Sequence, residues 1–306
     1  MLRTPACSLV LLAVLTLAGS ASGAPRRTCT DASQRETVAY AQLPGVPANT
    51  TSLDVYAPTP GCRVAGRRAP VVVWVHGGGY RVGDKANQIA AKRRLLNARG
   101  WVFVSVNYRL TVAGDPGSAH YPDHYRDVAA AVAWIRAHIA ARGGNPHRIA
   151  LLGHSAGADI VANVTTNPAW LAERGLGLRA VRCAGPLDTA GFDKTRVPAT
   201  SPEQVQWREA LGTDPAFAQD TSATLLARAG TGIPPTLTVV RGTPLRRAIE
   251  TDYAARLRAL GVPATVVDAS SLTHAQVSTR IGAPGDTVMT PPLMRFLTSC
   301  LHGALR

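Results

Sequence analysis

The sequence is short of lysine, of aromatic residues and of acidic residues. Basic residues number 33 and acidic residues 19, which gives a net charge of +14, but three of the bases are lysine, at Lys85, Lys92 and Lys194. Aromatic residues make up 5% of the chain, and arginine is dispersed through every segment. Nucleic-acid-binding proteins cluster basic residues with aromatics on one face. We therefore expect no nucleic-acid partner, and only a weak, salt-sensitive attraction to anionic polymers outside the cell.

The N-terminal apolar run is too short to span a bilayer. Residues 9–18 form a run of about ten residues, whereas a membrane helix needs roughly 20. The run follows a positive charge at Arg3 and precedes the small residues at 21–23, which signal peptidase reads. Serine stands at position 20, where a lipoprotein would carry its cysteine. Residues 1–23 are predicted to be a cleaved secretory signal, so we expect a secreted, extracellular protein with no stable membrane anchor.

The cysteines lack the C-x-x-C spacing of a metal site. Residues 24–306 are enough for a single domain that buries roughly three quarters of its unfolded surface, and they contain Cys29, Cys62, Cys183 and Cys300. An even number of scattered cysteines in an exported chain favours structural disulfides. Of the three possible pairings we favour Cys29 with Cys62, fastening the N-terminal segment, and Cys183 with Cys300, fastening the last helix to the sheet.

Apolar patterning alternates strands with helices, and no internal repeat or domain linker interrupts it. Strands are predicted at 36–41, 51–57, 71–75, 101–106, 148–152, 178–184, 236–241 and 264–268, and helices at 84–99, 127–141, 156–166, 244–260 and 291–301. Uninterrupted apolar runs such as 71–75 are typical of parallel strands buried on both faces. The pattern predicts an α/β fold with a mostly parallel sheet of about eight strands flanked by helices. Residues 185–232 show no clear sheet period and are expected to form a small cap.

Ser155 stands between two glycines in Gly-His-Ser-Ala-Gly at 153–157. The apolar run 148–152 precedes the motif and a small-residue helical stretch follows it. A strand, a tight turn and a helix in this order expose the serine hydroxyl and direct the N–H groups of the helix start at a developing negative charge. We predict that Ser155 is a nucleophile. Asp159, one helical turn later, is either a buried, hydrogen-bonded carboxylate, which we favour, or a residue that faces the cavity.

Three consecutive glycines follow His76, directly after the strand predicted at 71–75. Such a loop needs either unusual dihedral angles or close backbone approach to another group. The N–H groups of Gly77 and Gly78, together with that of Ala156, are suited to hold the oxyanion of a tetrahedral intermediate. A phosphate-binding loop is the competing interpretation, but the Lys-Ser/Thr pair of such loops is missing.

These two motifs together resemble the α/β-hydrolase superfamily of esterases and lipases, near the carboxylesterases, the hormone-sensitive-lipase-like enzymes and the acetyl- or feruloyl-esterase-like group. Supporting matches are Leu-Asp-Val-Tyr-Ala-Pro at 53–58, Gly-Asp-Lys at 83–85, Val-Asn-Tyr-Arg-Leu at 106–110, Tyr-Pro-Asp at 121–123 with Asp127, and Trp134 before Gly-Gly-Asn-Pro-His-Arg-Ile at 143–149. The matches extend over about residues 50–302. The resemblance implies an α/β-hydrolase fold and a triad in the order serine, acid, histidine, with no metal or cofactor.

His274 is the predicted catalytic base. The chain has eight histidines, and His274 is the one that follows the last predicted strand and precedes the last helix. The resembled family keeps its base in that position.

The triad acid is left open by the sequence. The family usually carries Asp or Glu after the penultimate strand, but residues 241–247 read Arg-Gly-Thr-Pro-Leu-Arg-Arg. Asp188, after the strand predicted at 178–184, is the first candidate because a carboxylate there reaches the histidine in some lipases. The alternatives are Asp268, at the end of the last strand, and Glu250, within the helix predicted at 244–260. A further alternative is that no carboxylate serves.

The sequence therefore predicts a secreted serine hydrolase that cleaves small-molecule carboxylic esters of modest size through an acyl-enzyme on Ser155, with His274 as base. One alternative is a binding or structural protein on a hydrolase scaffold that has lost its acid, since Arg246 and Arg247 stand near the expected acid position. Another keeps the catalysis but changes the bond, as in an amidase or arylformamidase. The oligomeric state is left open.

Overall fold

The computed structural model of the chain describes residues 1–2, 34–59, 66–214 and 216–305. Within these ranges eight strands form one sheet: β1 (Gln34–Ala39), β2 (Ser52–Ala57), β3 (Ala69–Val75), β4 (Val102–Val106), β5 (Gly144–His154), β6 (Cys183–Leu187), β7 (Thr236–Val240) and β8 (Ala264–Asp268). Their order is β1-β2-β4-β3-β5-β6-β7-β8. β2 is antiparallel to β1 and β4, and all other neighbours are parallel. The predicted α/β class and the mostly parallel sheet are confirmed.

Helices cover both faces of this sheet. They are α1 (Ala90–Asn97), α2 (Asp123–His138), α3 (Ala156–Thr166), α4 (Pro168–Ala172), α5 (Pro202–Leu211), α6 (Phe217–Asp220), α7 (Ala223–Leu226), α8 (Pro244–Ala259), α9 (His274–Thr279) and α10 (Thr290–Leu301). Turns of 3₁₀ helix lie at Ala48–Thr51, Ile139–Arg142, Leu178–Ala180 and Ala190–Arg196. Within residues 34–59, 66–214 and 216–305, no helix combines the length and apolarity that a bilayer crossing requires.

The central strand β3 shows how the two layers are built. Its side chains point alternately to opposite faces of the sheet. Val71, Val73 and Val75 pack in a core with residues of α2, α3 and α8, whereas Val72 and Trp74 pack in a second core with α1, α9 and α10. Because both faces are buried, the strand is apolar at every position, which is the pattern that made it recognisable.

The strand predicted at 178–184 is wrong in its position. The observed strand β6 begins at Cys183, and a 3₁₀ turn occupies Leu178–Ala180. Gly185 and Pro186 are poor strand formers and hid the strand. The glycine leaves room for a side chain of β5, because a Cβ at this position would come within 2.3 Å of Leu152 Cδ2 and the leucine would have to shift.

This shift also corrects the start of the cap predicted for residues 185–232. Residues 185–187 belong to the sheet, as the last part of β6. The chain after β6 contains the 3₁₀ turn Ala190–Arg196 and the helices α5 to α7. For this remaining part of the segment, the cap stays a prediction.

Outside residues 185–232, three helices differ from the predictions, and one of them is α4, which the sequence did not predict. The helix predicted at 84–99 starts only at Ala90, because Gln88 has a φ of 55° and residues 84–87 form turns. Helix α9 was not predicted. It is only 6 residues long, and a capping box of Thr273 and Gln276 marks its start. The other predicted helices overlap the observed ones.

The disulfide predicted between Cys183 and Cys300 is present and joins the start of β6 to the end of α10. Cys29 and Cys62 lie outside the described residues, and so does the predicted signal at 1–23 apart from its first two residues.

Candidate active site

The chemically important residues meet at one edge of the sheet. His76 follows β3, Ser155 follows β5, Asp188 follows β6 and Arg241 follows β7, so all four stand at the carboxyl ends of parallel strands, where ligands of open α/β sheets bind. His274 is the first residue of α9, after β8. These residues line a common cavity of about 1150 Å³.

Ser155 sits on a sharp turn between β5 and α3. Its φ of 59° and ψ of −122° lie where residues other than glycine are seldom found. The turn brings backbones so close that a Cβ at Gly153 would come within 2.2 Å of the Gly157 carbonyl oxygen. A Cβ at Gly157 would come within 2.4 Å of the His76 carbonyl oxygen. Both glycines of the motif are therefore sterically required.

The glycine loop after β3 lies against this turn. A Cβ at Gly77 would be 3.0 Å from the Cβ of Ser155, which brings the backbone of the loop next to the serine. Gly78 and Gly79 have φ angles of 120° and 59°, in the region that favours glycine. Ala156 is the first residue of α3, so its N–H has no acceptor within the helix. The three predicted oxyanion donors thus belong to two backbone segments that flank Ser155.

Of the three candidate carboxylates, Asp188 is the one that the structure brings to His274. The distance from His274 Nδ1 to Asp188 Oδ2 is 2.7 Å. Asp188 is fully buried, whereas 43% of the His274 side chain is exposed. A neutral His274 that donates its Nδ1 proton to this carboxylate keeps Nε2 free to accept a proton. Asp268 is exposed and accepts a hydrogen bond from the Ser270 N–H.

Two arginines hold Asp188, and the sequence analysis missed their role. Arg241 Nη1 donates to Asp188 Oδ2 at 2.8 Å, and Arg246 donates to Oδ1 through Nε at 2.9 Å and Nη2 at 2.6 Å. Burial by itself would raise the pKa of Asp188, but His274, Arg246 and Arg241 hold it well below its usual 3.8. The arginines that seemed to replace the acid after β7 instead anchor an acid after β6. The sequence shows these arginines but not their pairing with Asp188, which lies 53 and 58 positions away.

Glu250 fixes both arginines rather than His274. Its Oε2 accepts the backbone N–H of Arg241 at 2.8 Å, and its Oε1 accepts from Arg246 Nε at 3.2 Å. Burial, together with the nearby charge of Asp188, raises the pKa of Glu250 from 4.5 to about 8 against these two contacts. Glu250 is therefore one contact removed from the histidine.

His154 supports His274 from the other side, a role that the sequence analysis also missed. Its Nε2 lies 2.9 Å from the His274 carbonyl oxygen, and the two ring centroids are 4.5 Å apart. Burial lowers the pKa of His154 to about 4, and the neighbouring His274 adds to this effect. A neutral His154 therefore donates a hydrogen bond to the backbone of His274 and holds it at the cavity.

His154, Asp188 and His274 form the cluster, among residues 34–59, 66–214 and 216–305, whose ligand atoms are close enough to hold a metal ion, all within 4.8 Å of one another. These atoms already have partners. Asp188 accepts from Arg241 and Arg246, and His154 Nε2 bonds to a carbonyl oxygen. Two guanidinium groups beside the carboxylate would also repel a cation, so the cluster fits a hydrogen-bonded relay better than a metal site.

Two solved esterase structures share this architecture. An esterase from the archaeon Pyrobaculum calidifontis matches with a TM-score of 0.68 and 23% identity, over 90% of this chain and 86% of its own. An esterase from Thermogutta terrifontis matches with a TM-score of 0.67 and 21% identity, over 89% and 93% of the two chains. At these identities the likeness shows the α/β-hydrolase fold.

Sequence relatives point to a family. Carboxylesterase 3B of Mus musculus is 36% identical over 143 residues, and the para-nitrobenzyl esterase of Bacillus subtilis is 29% identical over 164 residues. The alignments cover 45% and 51% of this chain but 24% and 32% of those relatives, so the chain spans about a quarter to a third of their length. The model of the carboxylesterase family matches residues 25–205, more than half of the chain. The chain belongs to the carboxylesterase family.

Proposed function

We propose that this protein is a secreted serine esterase that hydrolyses small carboxylic esters through an acyl-enzyme on Ser155. The observation that carries the proposal is the 2.7 Å contact between His274 Nδ1 and Asp188 in the cavity that Ser155 also lines. A base whose Nδ1 is held by a buried carboxylate, in the same cavity as a serine on a strained strand-to-helix turn, is the arrangement that activates a hydroxyl for acyl transfer.

In the proposed reaction, Ser155 Oγ attacks the ester carbonyl while His274 Nε2 accepts its proton. The resulting imidazolium is stabilised by the carboxylate of Asp188. The tetrahedral intermediate collapses when His274 returns the proton to the leaving alcohol, which leaves an acyl group on Ser155. Water then attacks this acyl group by the same route and releases the acid.

The oxyanion of each intermediate is assigned to the N–H groups of Gly77, Gly78 and Ala156. The contact of Gly77 with Ser155 supports this role, and so does the position of Ala156 at the start of α3. Each such donor contributes on the order of 3 kcal/mol to lowering the barrier.

The cavity supports esters of modest size as substrates. Its volume of about 1150 Å³ accommodates an acyl group and an alcohol group together. Apolar and aromatic side chains, among them Val197, Trp207 and Ile249, line part of its wall. The relatives named as carboxylesterases and as a para-nitrobenzyl esterase agree with this substrate class.

The alternative of a decayed hydrolase loses its main support. That hypothesis rested on the arginines found where an acid was expected, whereas His274 has a carboxylate partner in Asp188. The amidase alternative concerns the same Ser155 and His274, and a panel of substrates distinguishes it from the esterase.

The experiment is to assay the purified mature chain with p-nitrophenyl acetate, p-nitrophenyl butyrate and p-nitroacetanilide. We expect both esters to be hydrolysed faster than the anilide, and Ser155→Ala to abolish turnover. Ser299→Ala on α10, a serine that does not line the cavity, is the matched control and should retain wild-type rates. Equal rates for the wild type and Ser155→Ala would refute the assignment, and faster cleavage of the anilide would replace the esterase with an amidase.

Secretion rests on the predicted signal at 1–23, and the Cys183–Cys300 disulfide is consistent with an oxidising compartment. Expression of the full chain in a bacterial host, followed by N-terminal sequencing of the protein in the medium, tests it. We expect a chain that begins at Ala24. Retention in the membrane fraction with residues 1–23 still attached would contradict the proposal.

A further inference from the structure

Asp159 forms a buried charged centre one helical turn beyond the proposed nucleophile. Its backbone N–H donates to the Ser155 carbonyl oxygen at 3.1 Å, within the first turn of α3. Its carboxylate accepts hydrogen bonds from the hydroxyls of Tyr80 and Tyr125 and from Lys194 Nζ at 2.7 Å. Asp159 and Lys194 are both fully buried, as the sequence analysis expected for Asp159. The mechanism proposed above uses none of these contacts.

Tyr80 connects this centre to the glycine loop. It follows Gly77, Gly78 and Gly79 directly and has a φ of 65°, in the left-handed region that bulky residues rarely adopt. A strained residue of this kind persists only where its surroundings hold it. Here the hydroxyl is held by Asp159, and the backbone carbonyl accepts the N–H of Thr111 at 2.9 Å.

The charges around Asp159 favour a strong bond to Tyr80. Lys194 Nζ also donates to the carbonyl oxygens of Gly191 and Thr221, at 3.0 and 2.7 Å, so the ammonium is fully hydrogen-bonded beside the carboxylate. Burial, followed by the charge of Asp159, raises the pKa of Tyr80 well above 10.0, which keeps its hydroxyl protonated as a donor. Hydrogen bonds to an ionised acceptor are about twice as strong as neutral ones.

We propose that Asp159 is a positioning residue that sets the oxyanion hole through its hydrogen bond to Tyr80. The predicted donors come from two separate segments, Gly77 and Gly78 on the loop and Ala156 at the start of α3. Asp159 lies on the same helix as Ala156 and binds the residue that ends the loop, so this one bond ties the two segments together. The inference rests on the proposed function and adds to it a residue that acts through the loop.

Tyr80→Phe and Tyr125→Phe are a matched pair of variants for the test. Each removes one buried hydroxyl that donates a hydrogen bond to Asp159 Oδ2. Tyr80 ends the glycine loop, whereas Tyr125 belongs to α2 and does not line the cavity. With p-nitrophenyl butyrate, we expect Tyr80→Phe to lower kcat about 10- to 100-fold, a fraction of the effect of losing an oxyanion donor outright, while KM changes less than about threefold. Tyr125→Phe should retain kcat within about threefold.

The second readout is the affinity for an alkyl trifluoromethyl ketone, whose adduct with serine carries an oxyanion. We expect the affinity to fall in Tyr80→Phe by about the same factor as kcat and to be unchanged in Tyr125→Phe. Rates are divided by the concentration of active serine, titrated with a fluorophosphonate, so that unfolded protein is excluded. As a control for stability, thermal unfolding should show a similar loss of Tm in both variants.

Equal losses of kcat in the two variants would overturn the inference, because they would show a general effect of the buried centre. A rise in KM with unchanged kcat would overturn it as well, since Tyr80 would then act on substrate binding. Both results presuppose an active wild type and an inactive Ser155→Ala. If that condition failed, the proposed function itself would be wrong.

Discussion

Replacing Asp188 with asparagine is the sharpest perturbation of the proposed triad. Asparagine keeps the shape of the side chain but removes the charge that lies 2.7 Å from His274 Nδ1. Arg241 Nη1, which is 3.4 Å from the same nitrogen, would then face the developing imidazolium without a carboxylate to offset it. Loss of a triad acid costs about 10,000-fold in turnover, equivalent to about 5 kcal/mol of transition-state stabilisation. The arginine makes this the minimum expected for Asp188→Asn.

The assay is kcat with p-nitrophenyl butyrate for Asp188→Asn, normalised to the number of folded molecules measured by circular dichroism. Asp268→Asn is the matched control, because it makes the same chemical change at an exposed carboxylate, and it should retain wild-type turnover. A loss below about 1,000-fold in Asp188→Asn, or an equal loss in Asp268→Asn, would refute the assignment of the acid.

Three further predictions concern stability. Because burial raises the pKa of Glu250 from 4.5 to about 8, the folded protein retains a proton between these pH values that the unfolded chain releases. Tm should therefore fall as the pH rises through this window, and the fall should be absent in Glu250→Gln. Parallel curves of Tm against pH for the wild type and the variant would contradict this prediction. Lys194→Met leaves the Asp159 carboxylate buried without its ion-pair partner, so the free energy of unfolding in urea titrations should fall by about 3–5 kcal/mol. A loss below about 1 kcal/mol would contradict this prediction. Replacing Cys183 and Cys300 with serine should lower the free energy of unfolding by about 2–5 kcal/mol. It should leave kcat unchanged, because the disulfide lies at the amino end of β6, away from the cavity, and a changed kcat would contradict this expectation.

The central sheet could be predicted because its signals are local. The apolar runs that became β3 and β4, broken in β4 only by Ser105, indicate burial on both faces without reference to the rest of the chain. The turn at Ser155 is equally local, since Gly153 and Gly157 are required by atoms within the motif and the adjoining loop. Strand β6 could not be found in this way, because Gly185 is there to admit a side chain of β5.

The identity of the acid could not be predicted because it depends on contacts between distant parts of the chain. Asp188 and His274 are 86 positions apart in sequence, and Arg246 is 58 positions from Asp188. With β6 mispredicted, nothing local distinguished Asp188 from Asp268 and Glu250. The arginines seemed to speak against a triad, whereas their partners in the folded chain are the two carboxylates Asp188 and Glu250.

The most direct test of the central claim is to trap the activated serine as a covalent phosphonyl adduct. The wild type, Ser155→Ala and Asp188→Asn are treated with a fluorophosphonate, digested and analysed by mass spectrometry. We predict stoichiometric modification of the wild type on the peptide that contains Ser155, much slower modification in Asp188→Asn, and none at this peptide in Ser155→Ala. An unmodified wild type, or modification at another residue, would contradict the claim that Ser155 is the activated nucleophile of this protein.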